Sequence, residues 1–302
     1  MGDYFKKIKK YIKEPGYRFS INARAGLYGR MSDEQYLKMT FKKIVGYDLD
    51  LDHVETFTEK MQWLKLYDRK PIYTTMVDKY TAKDYVASII GKEHIIPTLG
   101  VWDKFDDIDF SKLPNKFVLK TTHNSGGVVV CRDKTSFNIQ AARKKINKCL
   151  SFNYYKIGRE WPYKDVPPRV IAEQYMEDSN THQLIDYKFF CFNGEPRFLY
   201  VSRGLENHMT ARISFVTLDW DFAPYERKDY RPFDILPPKP QSLDGMIELS
   251  RLLSSGQKFI RVDLYEINGN VFFSELTLTP CGGFIPFKNL DQDRKMGALL
   301  NL

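Results

Sequence analysis

FIRVDLYEINGNVFFSELTLTPCGGF, residues 259–284, is the stretch on which the fold turns. Two β-branched and aromatic runs flank Asn268-Gly269, a dipeptide that accepts the positive φ angles of a tight hairpin turn. Alternation puts Phe259, Arg261, Asp263 and Tyr265 on one face of the first strand, with Ile260, Val262 and Leu264 on the other. On the returning strand Phe273, Glu275 and Thr277 share a face. Arg261 and Asp263 are costly to bury without partners, unless they simply sit on the hairpin's solvent side. Asp263 and Glu275 are hard oxygen donors of the kind that hold Mg2+ while water and phosphate complete its shell. Register tests this reading. A two-residue turn sets 263 against 274 and sends the carboxylates to opposite faces, whereas a three-residue loop or a bulge sets 263 against 275.

Upstream, KFVLKTTHNSGGVVV (116–130) reads as a strand over Phe117–Lys120, a loop, and a return strand at Val128–Cys131. Gly126 and Gly127 let backbone N–H groups approach a phosphate closely, and Lys120 can neutralise charge beside them. An ordinary β-turn is the plain alternative. Neither GxxxxGK[ST] nor GxGxxG occurs. VIAEQYMED (170–178) reads as a buried strand running into a polar turn. Main chain beyond such a strand can offer N–H and C=O groups to an adenine edge, with Glu177 in reach of a ribose hydroxyl.

The rest of the chain frames these segments. Up to about residue 70 it reads as helices, with Ser32 and Gln35 as a capping box. A helix follows over Asp78–Ile90, then a short edge strand near 95–101 interrupted by Pro97. A helix at about 136–150, a hairpin at Asn193-Gly194, a Pro-rich loop at 223–241 and a helix at about 243–254 complete the order. Helices first, then strands with interspersed helices, predict an α+β fold.

Composition narrows the partners. With 302 residues and 43% apolar content the chain can bury a sizeable core. A net charge of +8 favours an anionic partner, a nucleotide, phosphorylated substrate, nucleic acid or acidic lipid. Lys and Arg are dispersed rather than striped, which argues against nucleic acid. The one dense basic cluster is Lys6, Lys7, Lys9, Lys10 and Lys13, interleaved with Phe5, Ile8, Tyr11 and Ile12. It is either a solvated helix or a peripheral contact with the inner membrane surface. No run approaches a membrane span, and no secretory leader is recognisable. Cys131, Cys149, Cys191 and Cys281 are scattered, so a cytoplasmic protein without a disulfide framework or structural zinc is expected.

In order along the chain stand Lys120 with its glycine-rich loop, Glu173 to Glu177, Asp186-Tyr187-Lys188, Arg261-Val262-Asp263 and Glu275-Leu276-Thr277. That series resembles the TupA-like ATP-grasp family, associated with teichuronopeptide and surface-polysaccharide biosynthesis. DKYTAKDYV, FVLKTTHNSGG, DYKFFCFNGEPRF and RVDLY with FFSELTLTPCGG carry the resemblance, from about residue 72 to the C-terminus. It implies an ATP-grasp fold, two α+β lobes that sandwich ATP. Residues 1–70 would form an N-terminal helical region, 71–115 a segment preceding the lobes, 116–178 the small lobe, and 179–302 the large lobe with the metal site.

The resemblance also implies ATP and Mg2+ as cofactors. Lys120 would hold a phosphate and Ser125, Gly126 and Gly127 close over the triphosphate. Glu173, Gln174, Tyr175 and Met176 would supply the adenine contacts, with Glu177 near the ribose. Asp263, Glu275 and Thr277 would carry Mg2+, Thr277 standing where the family usually has Asn, a stronger ligand. The implied reaction activates a carboxylate as an acylphosphate, which an amine displaces to give an amide, ADP and phosphate. Lys188, Arg203 and Arg261 are the candidates that steady the moving phosphoryl group, surface charges flanking a hairpin being the plain alternative. The acceptor is expected to be a small molecule or glycan, such as a uronic acid.

Competing readings are a glycosyltransferase, a sugar kinase on the same scaffold, and a non-catalytic nucleotide binder. Asp48/Asp50, Asp107/Asp109 and Asp219/Asp221 are the Asp-x-Asp pairs that a glycosyltransferase would use. Lys79 and Lys83 are expected as solvent-facing helix lysines, His123 as a solvent-facing loop residue, and Cys281 as a small buried thiol.

Overall fold

The computed structural model describes residues 9–179, 184–204 and 211–302. The N-terminal third is helical: α1 (Pro15–Arg24), α2 (Asp33–Val45), α3 (Phe57–Tyr67), α4 (Ile72–Val77) and α5 (Thr81–Ile90). Ser32 and Gln35 form the expected capping box at α2, and Thr56 with Glu59 repeats it at α3. α5 starts later than the expected Asp78. The Arg169 guanidinium donates to Asp78 Oδ2 at 2.6 Å and the Lys79 N–H donates to Thr122 O, which hold residues 78 and 79 outside the helix. Of the basic N-terminal cluster, Phe5, Lys6, Lys7 and Ile8 lie outside the described residues, while Lys9, Lys10 and Lys13 are exposed. Among the described residues no helix is long and apolar enough to cross a membrane.

Two antiparallel sheets follow. The small one comprises β1 (Thr98–Trp102), β2 (Phe117–Thr121), β3 (Val128–Cys131) and β4 (Val170–Gln174) in the order β1-β4-β2-β3. β1 is the edge strand anticipated near Pro97, and its pairing with β4 carries the small lobe upstream of residue 116. Ala142 and Ile146 of α6 (Ile139–Leu150) pack with Phe117, Leu119 and Ala172 to form its core, and the single turn α7 (Tyr155–Gly158) follows.

The large sheet contains β5 (Asp186–Phe192), β6 (Glu195–Arg203), β7 (Arg212–Thr217), β8 (Phe259–Ile267) and β9 (Asn270–Thr277), ordered β7-β6-β5-β8-β9. Asn193-Gly194 and Asn268-Gly269 both take positive φ angles, as two-residue hairpin turns of this twist require. Ile267 pairs with Asn270, so the β8–β9 turn is the short one. A bulge between Asp263 and Leu264 then adds one residue on β9, and Asp263 faces Glu275 rather than Ser274. The bulge, not a longer loop, brings the two carboxylates onto one face.

The two faces of this sheet have different roles. Ile260, Val262, Leu264, Phe189 and Leu199 bury against α4, α5 and α8 (Leu243–Ser254). The opposite face carries an aromatic block of Phe190, Phe192, Phe198, Phe215 and Phe259, capped by α3 and α9 (Leu290–Gly297). Beyond that block the same face becomes charged.

Phe190 is fully buried, its ring centroid 5.1 Å from Phe198 and 5.5 Å from Phe215, and it is the register partner of Arg261. Phe190→Ala should cost about 3–5 kcal/mol, read as a lower urea midpoint at unchanged m value. An unshifted midpoint would show that the aromatic block does not anchor the charged half of the sheet.

Candidate active site

The sheet register lays out the charged face as a lattice. One row runs across four strands as Tyr200, Lys188, Asp263 and Glu275. The row on one side contains Phe190, Arg261 and Thr277, and that on the other Ser202, Asp186 and Tyr265. Asp263 is wholly buried and fully engaged. Lys188 Nζ donates to its Oδ2 at 2.6 Å, while Arg261 Nε and Nη2 donate to Oδ1 and Oδ2, each at 2.6 Å. Arg261 also donates to Thr277 Oγ1 at 2.9 Å and to the Tyr200 hydroxyl at 3.3 Å. Lys188 reaches Asp186 at 3.3 Å. Burial pulls the Lys188 ammonium down, but Asp186 and Asp263 raise it above its ordinary value, so it stays charged.

The small lobe contributes a second buried anion. Glu173 on β4 receives Lys83 on Oε1 and Lys120 on Oε2, each at 2.5 Å, and Lys83 also donates to Ile96 O at 2.6 Å. Burial pushes the Glu173 carboxyl up, yet the two lysines outweigh it and leave it below its ordinary value. Between the lobes lies a cavity of about 490 Å³, lined by Val118, Lys120, Val130 and residues 173–177 on one side and by Arg203 and Tyr265 on the other.

The cavity has the size of a nucleotide-class ligand site. The main chain of Tyr175 and Met176 makes no backbone hydrogen bond to another described residue, so this edge has unused groups facing a ligand site. Asp186 Oδ1 and Ser202 Oγ, register partners nearby, are buried without a partner among the described residues. These features fit a polar ligand such as ATP. Glu275, engaged among the described residues only by Lys79 through Oε1, is a donor that Mg2+ accepts, whereas Asp263 would join it only on giving up part of its hold on Lys188 and Arg261. Glu275 and Asp263 are adjacent in register, and one or two carboxylates plus phosphates and water suffice for this ion. Among the described residues no group of three or more His, Cys, Asp or Glu side chains forms a complete metal cage.

The glycine-rich loop is anchored at its base and open at its tip. Thr121 N–H donates to Gly127 O at 2.9 Å, and a Cβ on Gly127 would fall 1.9 Å from Thr121 Oγ1, so only glycine fits. Ser125 and Gly126 are exposed, and Gly126 takes a φ of 87°. His123 is not solvent-facing as expected. It is buried within hydrogen-bonding distance of Phe152 O, because the loop folds back over the end of α6. Lys83 is likewise buried, not a surface lysine, and Lys79 lies within reach of Glu275. Cys281 is exposed rather than buried, on a backbone of φ 55° just after β9.

Of the predicted residues, Lys188, Arg261, Asp263, Glu275 and Thr277 come together on the large sheet. Lys120 and residues 173–177 come together in the cleft, where Glu177 also lies 3.8 Å from Lys116. Arg203 is apart from the Lys188–Arg261 pair, exposed at the end of β6 and lining the cleft. Sequence reasoning missed the Lys83–Glu173 pair. It also missed Lys65, buried in α3, which donates to Gly158 O at 3.0 Å and to Gly282 O, and Glu160, which accepts from Thr279. A lysine inside the apolar run of α3 was the available signal for Lys65.

Two α+β lobes face each other over a cleft, with Lys120 and the Glu173–Glu177 edge on one wall and Arg203 and Tyr265 on the other, and the Lys188–Asp263–Glu275 row lies in the sheet beside Tyr265, an arrangement of the ATP-grasp kind. The TupA-like ATPgrasp family model matches residues 59–301, and the chain belongs to that family. No curated protein matches at a significant level. Among solved structures, an ATP-bound D-alanine–D-alanine ligase from Bacillus anthracis is 16% identical, covering 68% of this chain and 55% of its own at a TM-score of 0.37. An L-amino acid ligase from Bacillus licheniformis is 11% identical over 84% of this chain and 55% of its own, at a TM-score of 0.42. The chain thus spans about half the length of both.

Burial pushes the Glu275 carboxyl up, but Lys79, Arg261 and Lys188 hold its pKa at about 2. A folded-state pKa below the ordinary 4.5 means that its ionisation stabilises the fold fully above about pH 4.5, and that this support disappears as pH falls through about 2. Glu275→Gln should therefore lose less stability than the parent protein across that window, measured by urea midpoints. Parallel pH profiles would contradict the assignment.

Proposed function

We propose that this chain is an ATP-dependent carboxylate–amine ligase of surface-polysaccharide biosynthesis, joining an amine or amino acid to a uronic acid or similar carboxylate. The observation that carries the reading is the alignment of Lys188, Asp263 and Glu275 in one row across the sheet, opposite Lys120 and Glu173 in the small lobe. Family membership supports it. ATP would supply the phosphoryl group that turns a carboxylate into an acylphosphate, leaving an amine to form the amide. Asp263 and Glu275, with Thr277 at the margin, are the residues that would hold Mg2+ and so neutralise charge between phosphates.

The chain's own side chains divide the remaining work. Lys120, fixed by Glu173, brings a positive charge to the cleft wall, and the edge at Gln174–Glu177 offers main-chain groups to a base. Lys188 and Arg261, fixed on Asp263, place cationic donors where negative charge develops during phosphoryl transfer. Arg203 at the cleft rim is placed to meet an anionic portion of the nucleotide or acceptor. The Tyr200 hydroxyl and Thr277 Oγ1 set the plane of the Arg261 guanidinium. All three Asp-x-Asp pairs are exposed and outside the cleft, which counts against glycosyl transfer through them.

An ADP-release screen over amino acids and uronic-acid glycans, with products identified by mass spectrometry, tests the reading. Ligation predicts free phosphate and an amide; phosphate kept on the acceptor would make the protein a kinase instead. Lys120→Ala should weaken ATP binding by at least about tenfold, the size expected for losing a charged donor. An unchanged nucleotide affinity would remove Lys120 from the phosphate role.

A further inference from the structure

Lys79 lies outside both sheets and touches both lobes. Its N–H donates to Thr122 O at 3.1 Å and its ammonium to Asn124 O at 3.1 Å, both at the base of the glycine-rich loop. The same ammonium reaches Glu275 Oε1 on β9 at 3.2 Å. The side chains of Lys79 and Glu275 are only 15% and 28% exposed, so solvent screens the pair incompletely. Its backbone is fixed on both flanks. Asp78 is held by Arg169 at 2.6 Å, and the Arg169 guanidinium lies over the Tyr80 ring at 4.9 Å. The ammonium is therefore delivered to Glu275 by a pinned segment rather than by a freely moving surface chain.

Glu275 is also one of the two carboxylates proposed to carry the divalent ion. An ammonium and a metal ion cannot share that carboxylate without strong like-charge repulsion at such range. We propose that Lys79 is a built-in stand-in for the divalent ion, neutralising Glu275 and tying it to the glycine-rich loop until the metal displaces it. This inference rests on the metal reading of Asp263 and Glu275. It makes metal binding and the hold on the loop two ends of one exchange, because the ammonium that leaves Glu275 also contacts the Asn124 carbonyl.

The test uses Mn2+ as the probe, with the full chain and no nucleotide, counting free Mn2+ by electron paramagnetic resonance. Lys79→Gln should bind Mn2+ at least about tenfold more tightly than the parent protein, a typical size for coupling through one shared group, while Lys79→Arg should match the parent. Equal, weaker or undetectable binding in Lys79→Gln overturns the proposal. Should Lys79→Gln misfold, the parent protein alone still decides. Reductive methylation mapped by mass spectrometry should modify Lys79 faster in saturating Mn2+ than in chelator, and an unchanged rate overturns the stand-in role. Glu275→Gln separates the two layers. If it loses Mn2+ while Lys79→Gln binds like the parent, only the stand-in role fails; if it keeps parental affinity, the metal assignment itself fails.

Discussion

A carboxylate with no exposure to water, Asp263, is the constraint around which the large lobe is arranged. An ion buried alone in protein costs several kcal/mol, about the whole margin of a folded domain, so it must be surrounded by partners. Lys188 from β5 and Arg261 from β8 provide them, and Arg261 is steadied in turn by Thr277 and Tyr200. Four strands are thereby tied by side chains as well as by backbone hydrogen bonds. The aromatic block beside this cluster excludes water from one flank, and beyond the other flank Tyr265 of the next row lines the cleft. Cationic donors fixed before any ligand arrives need little reorganisation when negative charge moves past them.

The small lobe repeats the device with the same sign balance, one carboxylate between two cations. There one glutamate holds two lysines, and one of them, Lys120, lines the cleft. Lys83 comes from α5, whose apolar side packs on the large sheet, while Glu173 belongs to the small sheet. The pair therefore crosses between lobes, as does the Lys79–Glu275 contact, Lys79 also donating to Asn124 O in the glycine-rich loop. Polar links of this kind rearrange at lower cost than interdigitated apolar packing.

Much of this was legible in the sequence because local rules govern it. Asn-Gly turns, the two-residue period of Phe259–Tyr265 and the glycine-rich hairpin each depend on residues close together in the chain. The start of α2 followed from its Ser32–Gln35 capping box for the same reason. Burial of Lys83, His123 and Lys65 was not legible. Each looks like a surface residue until a partner distant in sequence, Glu173, Phe152 or Gly282, comes within hydrogen-bond range. The exposure of Cys281 had a similar origin, since it follows from where the chain leaves β9 and not from the cysteine itself.

The sequence by itself determined which residue types would face each other once β8 and β9 paired, because strand periodicity assigns every side chain to a face. Only the tertiary structure decided that they pair in the productive register. One extra residue of β9, accommodated as a bulge opposite Asp263 and Leu264, turns Glu275 toward Asp263. A bulge is a compromise between turn geometry, sheet twist and the demand of a buried charge for partners, and that balance exists only in the assembled sheet.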